Sequence, residues 1–184
     1  MSRVFLNQNR KERKTVGRIV LNHGTGVQFP LGLLRLRSMS GIKKNIHKDF
    51  HGAMSFGLKY VYDSYGDNGV KEYLEELANT VYSPLSKALK KSGLRELEKH
   101  WKKIFDLEDA DYKLFYKDNV LILRVNKCPA ISHMKKYGYE IFEGFCEHCK
   151  ILNAKICRNA GYKSSIEYDQ NKGKCLQKFW KGEK

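Results

Sequence analysis

The stretch DYKLFYKDNVLILRVNKC, residues 111–128, decides the fold class. Its apolar positions recur every second residue, β-branched and aromatic side chains dominate it, and Lys117-Asp118-Asn119 interrupts the run, so it reads as two strands of a hairpin. A second hairpin is written into YKSSIEYDQNKGKCLQKFW, residues 162–180, with Asn171-Lys172-Gly173 as its turn. Between them, CPAISHMKKYGYEIFEGF (128–145) opens with a turn at Pro129 and moves into helix, which continues through CEHCKILNAKICRNAG (146–161) to Gly161.

Upstream the period changes to that of a helix. Phe50, Met54, Leu58, Val61 and Tyr65 lie three or four apart and predict an apolar stripe that stops at Gly66. A second helix is expected from Asp67 or Asn68 through Val70, Tyr73, Leu74, Leu77 and Val81. PLSKALKKSG (84–93) predicts a third, with Pro in its first turn and Gly at its end, and LRELEKHWKKIFDLE (94–108) a fourth, with Leu94, Leu97, Trp101, Ile104 and Phe105 inward. The order predicts one α+β domain over residues 46–184: N-terminal helices, then two β-hairpins pairing into a roughly four-stranded antiparallel sheet, with a helix between the hairpins.

The chain has 184 residues, 41% hydrophobic and 12% aromatic, enough for one sizeable core but not for two full domains. No apolar run approaches the roughly 18–20 residues that span a bilayer, so a soluble, cytoplasmic protein without a membrane partner is expected. With 35 Lys and Arg against 20 Asp and Glu, the net charge is +15. Residues 1–48 hold 11 of those cations and one acid, Glu12. Residues 1–45 therefore read as a basic, partly disordered leader. Such an arm can bind phosphates by releasing counterions, yet Phe5 and Phe29 alone offer no stacking platform, so nucleic acid is admitted as a partner but not favoured.

Several segments carry a resemblance: HKDFHGAMSFGLKYVYDSYGDNGVKEYL (47–74), YSPLSKALKKSGLRELEKHW (82–101), VNKCPAISHMKKYG (125–138), FC (145–146) and GKCLQKF (173–179). Together they resemble the L-2-amino-thiazoline-4-carboxylic acid hydrolase-like family over about residues 46–180. The pattern is more distantly similar to 4-vinyl reductase-type ligand-binding domains, in which a Cys-bearing helix precedes a Gly and a hairpin ending C-x-x-x-F. Cys146, Gly161, Cys175 and Phe179 take those places here. The resemblance implies a compact domain enclosing a small-molecule pocket between helices and sheet, and a hydrolase-like enzyme opening a C–N or C–S bond of a small heterocycle. Water would add to a ring amidine carbon and open a thiazoline to a carbamoyl-cysteine, with a basic residue holding the carboxylate.

Five cysteines without a secretory signal argue against a disulfide framework. Cys128 is the leading candidate for catalysis, because it sits where a strand breaks at Pro129 into a helix, and a helix N-terminus lowers a thiol pKa; its thiolate could attack an amidine-like carbon or ligate a metal that activates water. His133, five residues on, or His51 would assist it. Arg124, with Lys127 beside it on the same strand, is the candidate for binding a substrate anion, although alternation turns at least one of them outward. His47 and His51, four apart, could also share a metal. Cys146 and Cys149 form a Cys-x-x-Cys pair one turn apart, which suits a tetrahedral metal such as zinc or redox exchange. Closing such a site needs Cys175 or Cys128 to approach; Cys157, about three turns along, is expected in the core. Plain burial of all these thiols is the competing account. Three functions follow for testing: the hydrolase-like enzyme, a non-catalytic small-molecule or metal-binding module, and nucleic-acid association through the leader. A homodimer is left open.

Overall fold

Two residues set the first hairpin. Asp118 and Asn119 have φ of 50° and 60° and lie between the paired Lys117 and Val120, the signature of a two-residue type I′ turn, which Asn and Asp tolerate. The structure, a computed structural model, describes residues 39–182, with side chains from residue 48 onward. Most of the basic leader and the side chain of His47 therefore lie outside the described residues.

Strands β1 (Asp111–Lys117) and β2 (Val120–Lys127) form that hairpin, and β3 (Tyr162–Asp169) and β4 (Lys174–Lys181) the second. They join through β2 and β4 into one antiparallel sheet of order β1-β2-β4-β3. The α+β architecture is thus as the periodicities predict. Ahead of the sheet run α1 (Met39–Thr80), α2 (Ser83–Ser92) and α3 (Arg95–Leu107). The predicted stop at Gly66 appears inside α1 as a break, where Gly66 takes φ 67° and ψ −165°, a left-handed φ that a side chain would strain. Two helices lie between the hairpins: α4 (Pro129–Tyr137), stopped by Gly138 at φ 69°, and α5 (Glu147–Ala160).

Strand alternation sorts the sheet into two faces. Val125 pairs with Cys175, Leu123 with Gln177 and Leu121 with Phe179, so these six share the inner face; all but Cys175 are fully buried. There they meet core residues of the helices, among them Leu58, Leu74, Leu97, Met134, Leu152 and Ile156. The predicted stripe of α1 is only half inward: Leu58 is buried, whereas Phe50 and Tyr65 are 61% and 72% exposed. One α-helix turn advances 3.6 residues, and the ends of a stripe read at steps of three and four drift off the buried line. Among the described residues, no helix is long and apolar enough to cross a membrane.

Candidate functional site

Burial by the helices leaves a cavity of about 250 Å³ against the inner face of the sheet. Helix α1 contributes Phe50, His51 and Met54; α3 and its C-terminal residue contribute His100, Trp101, Phe105 and Glu108. Val125, Cys175 and Gln177 come from the sheet, Cys128 from the start of α4, and Phe145, Cys146, His148, Cys149 and Leu152 from α5 and its approach.

Each thiol reaches the cavity for a local reason. Pro129 is the first residue of α4 and holds Cys128 extended, at φ −64° and ψ 122°. The Cys128 N–H donates to the Gly173 carbonyl at 2.7 Å, so the turn of the second hairpin clamps the start of α4. Cys175 takes the inner-face register position opposite Val125. The N–H of Cys146, which precedes α5, donates to Gln170 Oε1 at 2.9 Å. Cys149 follows one turn later. Cys128, Cys146, Cys149 and Cys175 therefore share one cavity, as their predicted approach requires, while Cys157 lies fully buried in the core away from it.

Two histidines line the cavity with partners. His51 Nε2 lies 3.0 and 3.2 Å from the two carboxylate oxygens of Glu108, which is only 3% exposed. His148 Nδ1 donates to the Phe145 carbonyl, and its Nε2 lies 3.3 Å from Cys149 Sγ. A buried amide pair completes the wall: Asn153 Nδ2 donates to Gln177 Oε1 at 3.0 Å, and Gln177 Nε2 to Cys175 Sγ at 3.3 Å.

Not every predicted residue arrives. His133 is in helix, as expected, but donates its Nε2–H to Asp49 Oδ1 at 2.7 Å and does not line the cavity. The Tyr139 hydroxyl donates to the same oxygen. Arg124 is exposed on the outer face of the sheet, because its neighbours Leu123 and Val125 take the inner face and alternation sends it the other way. Lys127, also exposed, lines a separate groove with His133. Lys174 of β4 borders the cavity, but it is exposed and directly precedes the inner-face Cys175, so alternation turns it outward as it does Arg124.

Burial also reverses the expected electrostatics of Cys128. The N–H groups of Ile131 and Ala130 favour its thiolate, as a helix start should, but burial outweighs them and, with Cys149 and Cys175 adding repulsion, pushes the thiol up to about 12. Burial raises Cys149 to about 12, with Glu108 adding to it, and Cys175 to about 11. Cys146 is raised by burial and then by the other three thiols. His148 is lowered by burial, against the opposing pull of the Phe145 carbonyl. The cavity at neutral pH thus holds neutral thiols and a neutral His148.

The thiols suit a soft ion by type. Among the described residues, however, no group of three or more His, Cys, Asp or Glu side chains is placed to hold one. Glu108, His148, Gln177 and Asn153 are the site residues that sequence reasoning passed over. His148 alone had a visible signal, its place between the two cysteines of CEHC. No protein-family model, curated protein or solved structure matches the chain.

Proposed function

We propose that the chain is a small-molecule hydrolase-like enzyme that opens a C–N or C–S bond of a small heterocycle bound in this cavity. The observation that carries it is the enclosure of Cys128 and three further thiols with the His51–Glu108 pair in a space of about 250 Å³. Volume and lining suit a ring of five or six atoms: Phe50, Trp101, Phe105 and Phe145 offer flat apolar walls, and polar groups are few. Glu108 orients His51, so the imidazole can take a proton from water as it adds to a ring amidine carbon and return it to the departing ring atom.

The assay is turnover of 2-amino-thiazoline-type heterocycles, followed by mass spectrometry of the carbamoyl product. Wild-type protein should convert such a ring with gain of one water, and His51→Ala and Glu108→Gln should each lose about 100-fold or more, the usual contribution of a positioned acid–base group. Binding without conversion, unchanged in His51→Ala, would replace the enzyme with a non-catalytic binding module. One feature favours that second function: Trp101 lines the cavity, and its buried Nε1–H has no hydrogen-bond partner among the described residues, leaving a donor for a ligand. Nucleic-acid association through the leader rests mostly on residues outside the described ones; retention on a polyanion column that survives deletion of residues 1–45 would remove it.

A further inference from the structure

Four thiols face the cavity, and the hydrolase-like reaction proposed above does not say which of them, if any, attacks carbon. A thiol held neutral by burial needs a base at hydrogen-bond distance to become a nucleophile. Of the two imidazoles expected to serve Cys128, His133 is committed to Asp49, and His51 lines the cavity with its Nε2 on Glu108. Cys175 accepts a hydrogen from Gln177 Nε2, which is no base. Among the described residues, the one thiol–imidazole hydrogen bond joins Cys149 and His148.

The direction of that bond follows from the second nitrogen. A backbone carbonyl can only accept, so His148 Nδ1, which meets the Phe145 carbonyl, must carry the ring proton. Nε2 then presents its lone pair, and the Cys149 S–H points into it across 3.3 Å. Phe145 is itself immobilised: it is 1% exposed, and its ring lies 4.6 Å from the His148 ring at a tilt of 56°. Thiol, base and orienting carbonyl thus form the three-part arrangement that nucleophilic catalysis needs, with a backbone carbonyl in the third place.

We infer that Cys149, with His148 as its base and the Phe145 carbonyl as the positioning group, is the reactive thiol of the cavity. The assignment deepens the hydrolase-like function and, for the chemistry of the substrate, rests on it. In the first half-reaction the Cys149 proton passes to His148 Nε2 as sulfur bonds to the ring carbon flanked by nitrogen and sulfur. The ring C–S bond breaks, and the departing sulfur takes that proton. Water then adds to the isothiourea carbon left on Cys149, losing its proton to His51; Cys149 leaves and is reprotonated. One water is consumed, and no oxidant or reductant enters. The substrate class, a ring with an electrophilic amidine or thioimidate carbon, follows from the proposed function.

The test is alkylation of the full chain by iodoacetamide at pH 7, with each cysteine followed by peptide mass spectrometry in wild type and in His148→Gln. Cys149 should be alkylated ahead of Cys128 and Cys175. His148→Gln should slow Cys149 at least about tenfold, the low end of what a positioned base contributes, and leave Cys128 and Cys175 unchanged. Cys128 alkylated first, or Cys149 unaffected by His148→Gln in protein whose melting temperature is preserved, overturns the assignment. Should His148→Gln fail to fold, Cys149→Ser decides: loss of the isothiourea-mass adduct during turnover supports the assignment, and undiminished turnover removes it while the hydrolase-like function stands. His148-dependent alkylation with no heterocycle converted leaves the thiol pair in place and removes the hydrolase-like function.

Discussion

The starts of α4 and α5 look alike in sequence and behave differently in the fold. Each has a cysteine just before the helix and a histidine within the next five residues: Cys128 with His133, Cys146 with His148. At α4 the histidine is captured by Asp49 of α1, and the thiol is left to backbone N–H groups and burial. At α5 the histidine is caught by the carbonyl of Phe145 and turned onto Cys149. Closeness along the chain does not make a catalytic pair; what decides is the acceptor that takes the other ring nitrogen.

The heaviest way to break the comparison is to remove the anchor at α5. Phe145→Ala deletes a ring that is 1% exposed and should cost about 3–5 kcal/mol in urea unfolding, whereas Ala130→Gly in α4 should cost about 1 kcal/mol. Equal losses would mean that α5 is no better anchored than α4.

Next comes the clamp on α4. Gly173 has φ +61°, and an added Cβ would lie 3.3 Å from Ile131 Cγ2 and 3.6 Å from Cys128 Cβ. Gly173→Ala should destabilise by about 1–2 kcal/mol from the left-handed backbone alone, and it should make Cys128 more accessible to alkylation while Cys149 is unchanged. A melting temperature equal to wild type would show that the turn does not hold α4.

A smaller effect is expected with pH. Burial lowers the pKa of His148, and also that of His100, where Lys103 adds to it. Below the unfolded value of about 6.5 the unfolded chain binds the protons that the folded chain resists, so stability should fall as pH drops from 7 towards 5, until the lowered folded values are passed. Each such group adds a slope of at most about 1.4 kcal/mol per pH unit. His148→Gln should flatten the profile measured by chemical denaturation at successive pH values; an unchanged slope would show that His148 is solvated.

The mildest probe tests the diversion of His133. Asp49 is 51% exposed, so Asp49→Asn should leave folding little changed and Cys128 alkylation as slow as before. Faster labelling of Cys128 in that variant would show that Asp49 alone keeps His133 from the thiol, and the two helix starts would differ by one side chain.

Much of this was legible in the residues. The alternation in 111–128 and 162–180, the Asp118-Asn119 turn, and the glycines at 66, 93 and 161 placed most elements, since those signals depend on backbone conformations only a few residues adopt; the stop at Gly138 was not read. The convergence of Cys128, Cys146, Cys149 and Cys175 was one of the arrangements open in the sequence, because both Cys128 and Cys175 come from elements that flank the helix carrying the Cys-x-x-Cys pair. Glu108 was not: it closes α3 in a charged run, and only the approach of α1 turns it into a buried partner of His51.

Local sequence by itself determined the periods, the turns and hence the α+β order, because those are set within a few residues of chain. Tertiary structure decided which face of the sheet lost its water, which sent Arg124 outward and Cys175 inward. It also decided the protonation of the thiols. A helix start favours a thiolate through a few nearby N–H groups, but desolvation acts through everything packed around the sulfur, and here desolvation wins. Which imidazole meets which thiol was likewise settled by acceptors from elsewhere in the fold, Asp49 for His133 and the Phe145 carbonyl for His148.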